Sequence, residues 1–584
     1  NARRITCVQH TRACGSRSRV CGREKIHACF TSTTGCRVWL WSVYRRAWRI
    51  ASLCRLQMSA SPPALGEKRA HTPDDVRCAK LARLETDESG RSAGDRHGGD
   101  SAKEDAASGT GKDASPSPTA DTNDEGASTR LQKRKVALFF GYCGTDYSGL
   151  QVNPGVKTIE GDIFEAFCRA GAVSKENAVN PNKVQLQRAA RTDRGVHAAG
   201  NLLTLKLILD PPNLPPNQTL TTYVNSLLPD QIRIWGMRRV QSAFNARTSC
   251  DSRLYEYLLP TYVFLPPKPW SAMWKMLRRL NLGDTEPLPT TEDGSPVMPW
   301  DDPVKAVRDS ELLNHPFWRA HGTAGDFSQD MQAKRKWRMD RATLERVRDV
   351  FAQYTGPHNF HNYTVGKEFR DRSAHRVMKK LTISDPCLID GTEWVSVQFH
   401  GQSFMLHQIR KMIGLLVLIG RTNAPTSLVA QTYGPARIHV PKAPGLGLLL
   451  VEPFFGGYNT KVSNNNERIE RTIATRTAAG KPLPPDAESG KREHVDYAMY
   501  AHEMDAFKKE RIYQQIYRTE EETSEFAKWL NYLDVFVGPD FEFLNPSGTI
   551  PQCAILKVGE QRRAPGGQPK AHESDEEGAA DDDA

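Results

Sequence analysis

One short segment, residues 187–201, constrains the fold of this chain more than any other, because it places an acid among arginines at a tight turn. Residues 184–187 and 203–208 alternate along the chain, which predicts a strand on each side of the turn. Gly195, two residues after Asp193, tolerates the positive backbone dihedral that such a corner needs. We therefore predict a strand-to-strand corner that presents Asp193. The alternative interpretation is a good turn sequence with a solvated acid.

The charge balance indicates a polyanionic partner. The 584 residues include 79 Lys and Arg against 68 Asp and Glu, a net charge of +11. Such an excess favours RNA or DNA over an acidic small molecule. No pair of the 12 cysteines has the two-residue spacing of a zinc knuckle, and half of them precede Met58. The sequence therefore predicts neither a metal site nor a disulfide framework, and a reducing intracellular compartment fits best.

The first 130 residues predict no packed core. Residues 1–57 are rich in Arg, Trp and Cys and contain one acid, Glu24, as in a mitochondrial transit segment. They also fit upstream sequence translated ahead of a start at Met58, which we favour. Residues 58–130 have almost no aromatics, which predicts a disordered arm. Its cluster Lys68-Arg69 is typical of nuclear localisation signals, with solvated charge as the equal alternative.

The rest of the chain divides into an ordered unit and its extensions. Patterns of strands and helices predict a first half over residues 131–262 and a second half over residues 339–459. Between them, residues 263–338 lose periodicity and gather Pro, Asp and Gly, which predicts a surface insertion. The remaining parts are a partly helical extension at 460–550, with one helix near 498–533, and an acidic disordered tail at 551–584.

A second informative element covers residues 403–420, where the spacing predicts one helix. His407, Arg410 and Lys411 share one face of this helix. A basic helix face is usually solvated, but the neighbouring apolar run predicts that this helix is buried. An arginine at a buried edge needs an acidic partner. The run is too short to span a membrane, which takes about 20 apolar residues.

Several motifs occur in order along the chain and resemble one family. Residues 190–198 are similar to the signature of the TruA-type tRNA pseudouridine synthases, with Ala190 where bacterial members carry Gly. The residues of these motifs are most similar to those of the eukaryotic nuclear branch, which modifies several tRNA positions. The accompanying motifs are the loop 141–149 with Gln151, Phe244-Asn245-Ala246-Arg247, Arg253-Leu254-Tyr255-Glu256-Tyr257, Asn359-Phe360-His361-Asn362-Tyr363, the helix 404–411 and Pro444-Gly445-Leu446-Gly447-Leu448.

The resemblance implies a fold, a reaction and a set of partners. The expected fold is α+β, with two related α/β halves whose antiparallel sheets join around a basic cleft. The expected reaction isomerises specific uridines of tRNA to pseudouridine without a cofactor or a metal. Small nuclear RNA and messenger RNA are further candidate substrates. We expect a nuclear enzyme with no membrane association and no obligate protein partner, or a mitochondrial isoform if residues 1–57 are translated.

The resemblance also implies the catalytic residues. Asp193 matches the essential carboxylate, which attacks either the sugar or the base. It can do so only while ionised, so it needs a cationic neighbour in a dry pocket. Arg410 matches the basic residue that pairs with this aspartate, and a guanidinium fork suits a carboxylate better than Lys411 would. His197 and His407 are interpreted as structural or adjacent to RNA.

The target base has to leave its stack, which costs a few kcal/mol that the protein must offset. Arg191 resembles the family residue that intrudes into the vacated space. Tyr255 resembles the residue that packs on the extruded uracil, where a flat ring offers a stacking face. Leu446 or Leu448 is expected to close the pocket wall and exclude water.

Two other functions are compatible with the same motifs. The first is an RNA-binding relative without catalytic activity, against which the intact Asp193, Tyr255 and Arg410 argue. The second is a glycosidase-like hydrolase. Hydrolases of that kind use two acids at one bond, and the matched motifs contain no second acid.

Overall fold

The computed structural model describes residues 131–283, 312–322 and 327–557. The predictions for residues 1–57 and 58–130 lie outside this part of the chain, as does most of the predicted acidic tail. Residues 551–557, predicted as the start of that tail, contain a 3₁₀ turn at Gln552–Ala554. Ile555 also bridges to Ile438. The chain therefore continues to pack beyond residue 550, which corrects the predicted start of disorder.

A single sheet organises the described residues. Its strand order is β4-β1-β3-β10-β5-β9-β7-β6, with β2 beside β3 and β8 beside β9. All of these pairs are antiparallel except β3 with β10. The strands are β1 (Lys133–Tyr142), β2 (Gln187–Arg188), β3 (His197–Ile208), β4 (Ile232–Arg239), β5 (Ser252–Pro260), β6 (Gly356–Asn359), β7 (His375–Ile383), β8 (Cys387–Ile389), β9 (Thr392–Gly401) and β10 (Leu448–Phe454).

The two predicted halves exchange strands within this sheet. Strand β5 belongs to the first half in sequence and β10 to the second half, yet β10 lies between β3 and β5. The parallel pairing of β10 with β3 places Leu449 opposite His197. The predicted α+β fold with joined sheets is confirmed, and the parallel β3–β10 pair is the exception to its antiparallel character.

Helices pack on the sheet through apolar faces that the sequence predicts. The helix Ile159–Arg169 starts where the Thr158 hydroxyl accepts a hydrogen bond from the Gly161 N–H, and it buries Ile163 and Phe167. The helices are α1 (Ile159–Arg169), α2 (Leu220–Leu227), α3 (Ala272–Leu282), α4 (Pro316–His321), α5 (Phe327–Lys336), α6 (Arg341–Ala352), α7 (Gln408–Thr422), α8 (Leu428–Gln431), α9 (Gly456–Ala478), α10 (Ala501–Phe507), α11 (Gln514–Thr523) and α12 (Glu525–Val535).

The predicted surface insertion contains buried helices where it is described. Helix α3 buries Trp274 and Leu277, and helix α4 buries Phe317 and Trp318. Short helices separated by Pro and Gly leave no long periodic pattern, which is why the sequence predicts an irregular surface segment. These helices instead carry aromatic side chains into the main core.

The C-terminal extension covers the second face of the sheet. Phe139 of β1 lies in a small apolar cluster with Tyr497 and Met504. At Gly200 a Cβ atom would lie 2.7 Å from the Met504 Cε, so glycine permits this close approach. The helix predicted near 498–533 is interrupted, because Ser524 adopts a left-handed conformation between α11 and α12. Within residues 131–283, 312–322 and 327–557, no helix has the length and apolar character needed to cross a bilayer.

Candidate active site

The predicted corner is present, and its backbone closes as a tight turn. The Val196 N–H donates to the Asp193 carbonyl oxygen at 3.1 Å. Gly195 has a φ of +74°, the positive dihedral that the sequence predicts. Its own N–H donates to the Tyr147 carbonyl oxygen at 3.2 Å, which ties the turn to the preceding loop. Asp193 therefore lies on a turn with a defined backbone.

The strand that enters the corner is shorter than predicted. Residues Pro181–Val184 form a 3₁₀ turn, and Gln185 follows in a left-handed conformation with a φ of +57°. Only Gln187–Arg188 pair as a strand, β2. The prediction of a strand over 184–187 was therefore wrong at its start, because a proline at the head of this segment favours a turn.

Two arginines hold the chain just before the corner. The Arg188 Nε lies 2.5 Å from the buried Glu160 Oε1. Arg253 of β5 donates from Nη2 to the Ala189 carbonyl oxygen at 2.6 Å and from Nε to the same oxygen at 3.1 Å. The entry to the turn is thus fixed to both α1 and the central sheet.

A glycine lets the 144–150 loop pack on the backbone of the turn. Gly149 has a φ of +93°, and a Cβ atom there would lie 2.9 Å from the Thr192 carbonyl oxygen. That same oxygen accepts a hydrogen bond from the Leu150 N–H at 3.2 Å. The Thr192 hydroxyl in turn pairs with the Tyr142 hydroxyl at 2.7 Å. The residue before Asp193 is therefore held through both its carbonyl and its side chain.

Arg410 reaches this turn from helix α7. Its Nη1 lies 4.0 Å from the Asp193 Oδ2, a distance for an ion pair that is longer than a hydrogen bond. The Arg410 Nε donates to the Ala443 carbonyl oxygen at 2.8 Å, which fixes the guanidinium. A Cβ atom on Gly445 would lie 3.6 Å from the Arg410 Cζ, so the 443–445 segment lies against the guanidinium plane. The Asp193 side chain remains 28% exposed.

His407 also lies beside the Asp193 carboxylate, and it precedes the helix that the sequence predicts it to belong to. Helix α7 begins at Gln408, and His407 has a left-handed φ of +60°. Its side chain is only 4% exposed, and its Nε2 lies 3.8 Å from the Asp193 Oδ2. This Nε2 has no hydrogen-bond partner among the described residues. Burial, followed by the charges of Lys442, Arg410 and Lys411, lowers the pKa of His407 to about 3, so the ring is neutral.

Lys411 has a different role from Arg410. Its Nζ donates to the Thr364 carbonyl oxygen at 3.0 Å. Burial, followed by the charges of Arg437 and Lys442, lowers the pKa of Lys411 to about 8. The two cations of helix α7 thus have different partners, and only Arg410 pairs with Asp193 in the geometry described above.

Tyr255 of β5 belongs to the same neighbourhood. Its buried ring meets Phe404 edge to face, with 5.0 Å between the ring centroids. Burial is the main cause that raises its pKa to about 12, opposed by the charge of Arg253, and the charge of Asp193 adds to the rise. The charge of Asp193 therefore affects the ionisation of the Tyr255 hydroxyl, because burial leaves little water to screen it.

The remaining predicted site residues are Leu446, Leu448 and Arg191. Leu448 begins β10, and its N–H donates to the Gly445 carbonyl oxygen at 3.0 Å. Leu446 is half-buried and packs on the main core. Arg191 is exposed on the same turn as Asp193. The structure thus brings Arg410, His407 and Tyr255 to Asp193. The two leucines follow Gly445, the residue that lies against the Arg410 guanidinium.

Comparison with known proteins identifies the family. Residues 350–456, which include Arg410, match the family model described as tRNA pseudouridine synthase. The tRNA pseudouridine synthase 1 of Yarrowia lipolytica is 40% identical over 483 residues, spanning 78% of this chain and 84% of that protein. This chain belongs to the TruA-type tRNA pseudouridine synthase family. The family predicted from the motifs is therefore confirmed.

Two further relatives of this pseudouridine synthase extend the comparison. The tRNA pseudouridine synthase 1 of Eremothecium gossypii is 41% identical over 444 residues, spanning 70% of this chain and 74% of that protein. The tRNA pseudouridine(27/28) synthase of Saccharomyces cerevisiae is 38% identical over 340 residues, spanning 56% of this chain and 86% of that protein. The predicted enzyme class, a pseudouridine synthase, is confirmed by these relatives.

The site of this pseudouridine synthase combines an acid, a cation and a neutral imidazole. A guanidinium favours the ionised form of a nearby carboxylate, which is the form that can act as a nucleophile or a base. The neutral His407 ring can donate one hydrogen bond without adding charge. Within the described residues, no group of three or more His, Cys, Asp or Glu side chains is placed to hold a metal ion.

Sequence reasoning missed the place of His407 in this site. Its position three residues before Arg410 is the one signal that could have found it, since residues three apart on a helix lie on one face. The left-handed backbone at His407 breaks that rule. The ring reaches Asp193 because the chain turns before the helix begins, and a tertiary contact of this kind leaves no local pattern.

Proposed function

We propose that this synthase isomerises uridines of tRNA to pseudouridine, with Asp193 as the catalytic carboxylate and Arg410 as its cationic partner. The observation that best supports this proposal is the 4.0 Å approach of Arg410 to Asp193 from a distant part of the sequence. An acid at a partly buried site becomes a useful nucleophile only if a neighbour stabilises its anion. Arg410 supplies that charge from a position fixed by the Ala443 carbonyl.

The reaction balances without any co-reactant. The glycosidic bond between uracil N1 and ribose C1′ breaks, the uracil turns, and a bond forms between C5 and C1′. The proton on C5 leaves, and N1 gains a proton. Asp193 takes part either by attacking the sugar or by attacking the base, and both routes need the carboxylate within reach of an extruded uridine.

Extrusion of the target base gives roles to four further residues. The ring of Tyr255, next to the charge of Asp193, offers a flat apolar face for the extruded uracil. Arg191 is exposed two residues before Asp193, a position from which a long cationic side chain can enter the space that the base leaves. Leu446 and Leu448 follow Gly445, which lies against the Arg410 guanidinium, and they limit the access of water to the site.

A tritium-release assay tests the proposal. The purified full chain is incubated with tRNA labelled at uracil C5, together with Asp193→Asn and a control variant, Asp210→Asn. Asp210 is exposed just beyond the end of β3 that lies farthest from the turn. We expect release by the native chain and by the control, and none by Asp193→Asn. RNA binding without release would identify a silent RNA-binding relative, and free uracil would identify a hydrolase.

We also propose that the enzyme acts in the nucleus, and that small nuclear RNA and messenger RNA are further substrates. The excess of basic residues and the Lys68-Arg69 cluster support this proposal. Fluorescent fusions of the full chain and of a chain starting at Met58 test the location. A mitochondrial signal that disappears on removal of residues 1–57 would identify a second isoform. A pseudouridine map from cells that lack the protein tests the range of RNA substrates.

A further inference from the structure

Five large apolar side chains stand exposed on two segments that are linked to the Asp193 turn by hydrogen bonds or by His407. Val152 and Val156 belong to the loop that leads into α1, which we call the first border. Val365, Phe369 and Leu406 come from the second half of the chain and form what we call the second border. Each is between 38% and 45% exposed. Exposed apolar side chains on segments linked to a functional site are candidates for a surface that binds a ligand or a partner.

The first border is attached directly to the turn. The Leu150 N–H donates to the Thr192 carbonyl oxygen at 3.2 Å, and Val152 follows two residues later. The Val152 N–H donates to the Glu160 Oε2 at 3.1 Å, which holds the loop against α1. The Lys157 ammonium lies 4.4 Å from the centroid of the Tyr147 ring. The loop therefore presents apolar side chains from an anchored backbone.

The second border is attached to the segment that carries His407. The Thr364 hydroxyl donates to the Leu406 carbonyl oxygen at 3.0 Å, and Leu406 immediately precedes His407. The Phe369 carbonyl oxygen accepts a hydrogen bond from the Asn359 side chain at 2.8 Å. The ring of Phe369 meets His361 edge to face, with 5.5 Å between the ring centroids, and the residue is 39% exposed, so part of the ring is open to solvent.

The second border is also strongly basic. Residues 364–380 contain six Lys and Arg and two acids. One of the acids, Asp371, already pairs with Lys367 at 3.3 Å. Arg370 and Arg372 are exposed beside Phe369. An aromatic face among exposed cations is the surface that single-stranded nucleic acid prefers, because bases stack on the ring while phosphates meet the charges.

We propose that these two borders grip the nucleotides on either side of the target uridine, with Phe369 stacking on the base of one neighbour. The proposal rests on the proposed function in one respect, namely that the target uridine enters at Asp193. Extruding a base leaves its neighbours without a stacking partner on one side, and an exposed aromatic ring beside the site replaces that partner. Val152 and Val156 cover the nucleotide on the other side.

Binding of tRNA to the full chain tests the stacking role without any turnover. Fluorescence anisotropy gives the Kd for native chain, Phe369→Ala and a control, Leu388→Ala, whose side chain is 59% exposed on β8. We expect Phe369→Ala to weaken binding by about 5- to 150-fold, the range for one base–aromatic stack. Phe369→Trp retains native affinity, and Leu388→Ala binds like the native chain.

The salt dependence separates stacking from charge. Phe369→Ala should leave the slope of log Kd against log salt unchanged, whereas Arg370→Ala should reduce the slope by about one. Native-like binding by Phe369→Ala would overturn the proposal, and the exposed apolar side chains of the second border would then be assigned to a protein partner. A second variant, Val156→Ser, changes an exposed loop side chain that contributes little to folding. Native-like binding by Val156→Ser would remove the first border from the proposal.

A second measurement places the contact next to the target. In an RNA whose modified uridine has been mapped, 2-aminopurine replaces the nucleotide beside it. Stacking on Phe369 should quench its fluorescence in the native complex, and Phe369→Ala should restore the signal. Quenching that persists in Phe369→Ala would overturn the assignment. Since the anisotropy experiment needs no catalysis, a failure of the proposed function would not by itself alter its result.

Discussion

Replacing Arg410 with alanine should slow the reaction while leaving the fold intact. Two unit charges 4.0 Å apart, as measured between Arg410 and Asp193, interact by about 4 kcal/mol at an effective dielectric constant of about 20. Solvent reaches the Asp193 side chain, which is 28% exposed, and screening reduces this value. We expect a loss of about 2 kcal/mol of transition-state stabilisation, which corresponds to roughly 30-fold in kcat/KM.

The assay is tritium release under single-turnover conditions, with tRNA binding measured in parallel. Arg410→Lys keeps the charge but loses the fork and the Nε–H bond to Ala443, so its rate should be intermediate. Added guanidinium should partly restore Arg410→Ala, because the vacated space lies against Gly445. A rate for Arg410→Ala within about threefold of native would refute the reasoning, given that roughly 30-fold is expected.

Other variants test the remaining parts of the site and the core. Arg191→Ala should bind tRNA nearly as well as the native chain but turn over poorly, as stopped-flow binding and tritium release would show; unchanged turnover removes Arg191 from the site. His407→Asn tolerates the left-handed backbone and offers an amide donor, so it should retain more kcat than His407→Ala at equal KM. Equal kcat in both variants would argue against a donor role for the His407 ring beside Asp193. Burial raises the pKa of Glu520 from its ordinary value of 4.5 to about 7. Between these two pH values the folded protein keeps a proton on Glu520 that the unfolded chain has lost, so the free energy of unfolding falls as pH rises. Glu520→Gln should therefore gain up to about 3 kcal/mol on the native chain between pH 5 and pH 8 in thermal melts, and a constant difference would contradict this.

Local patterns in the sequence predict much of this structure. Alternation in residues 203–208 belongs to β3, and the stripe of Ile163 and Phe167 belongs to α1. Gly195 marks the positive dihedral of the Asp193 turn. Each of these signals depends on neighbours two to four residues apart, and such neighbours stay together whatever the rest of the chain does. The motifs that carry the family resemblance add the pairing of Asp193 with Arg410, which no local pattern contains.

Where local patterns were insufficient, distant contacts decided the outcome. The run 403–420 reads as one helix, but His407 adopts a left-handed conformation and the helix starts at Gln408. Residues 263–338 read as an irregular insertion, yet Trp274 and Trp318 fill the main core. Aromatic anchors on short helices have no period long enough to recognise, and they are buried only because other segments cover them.

The sequence alone therefore determines the corner, the acid that it carries and most of the strands and helices. Only the tertiary structure decides that β10 lies between β3 and β5, and that His407 comes within 3.8 Å of Asp193. The physical reason is the range of the interactions. Periodicity records which face of an element is apolar, whereas strand order and the spacing of charges follow from how those faces pack against segments far away in the chain.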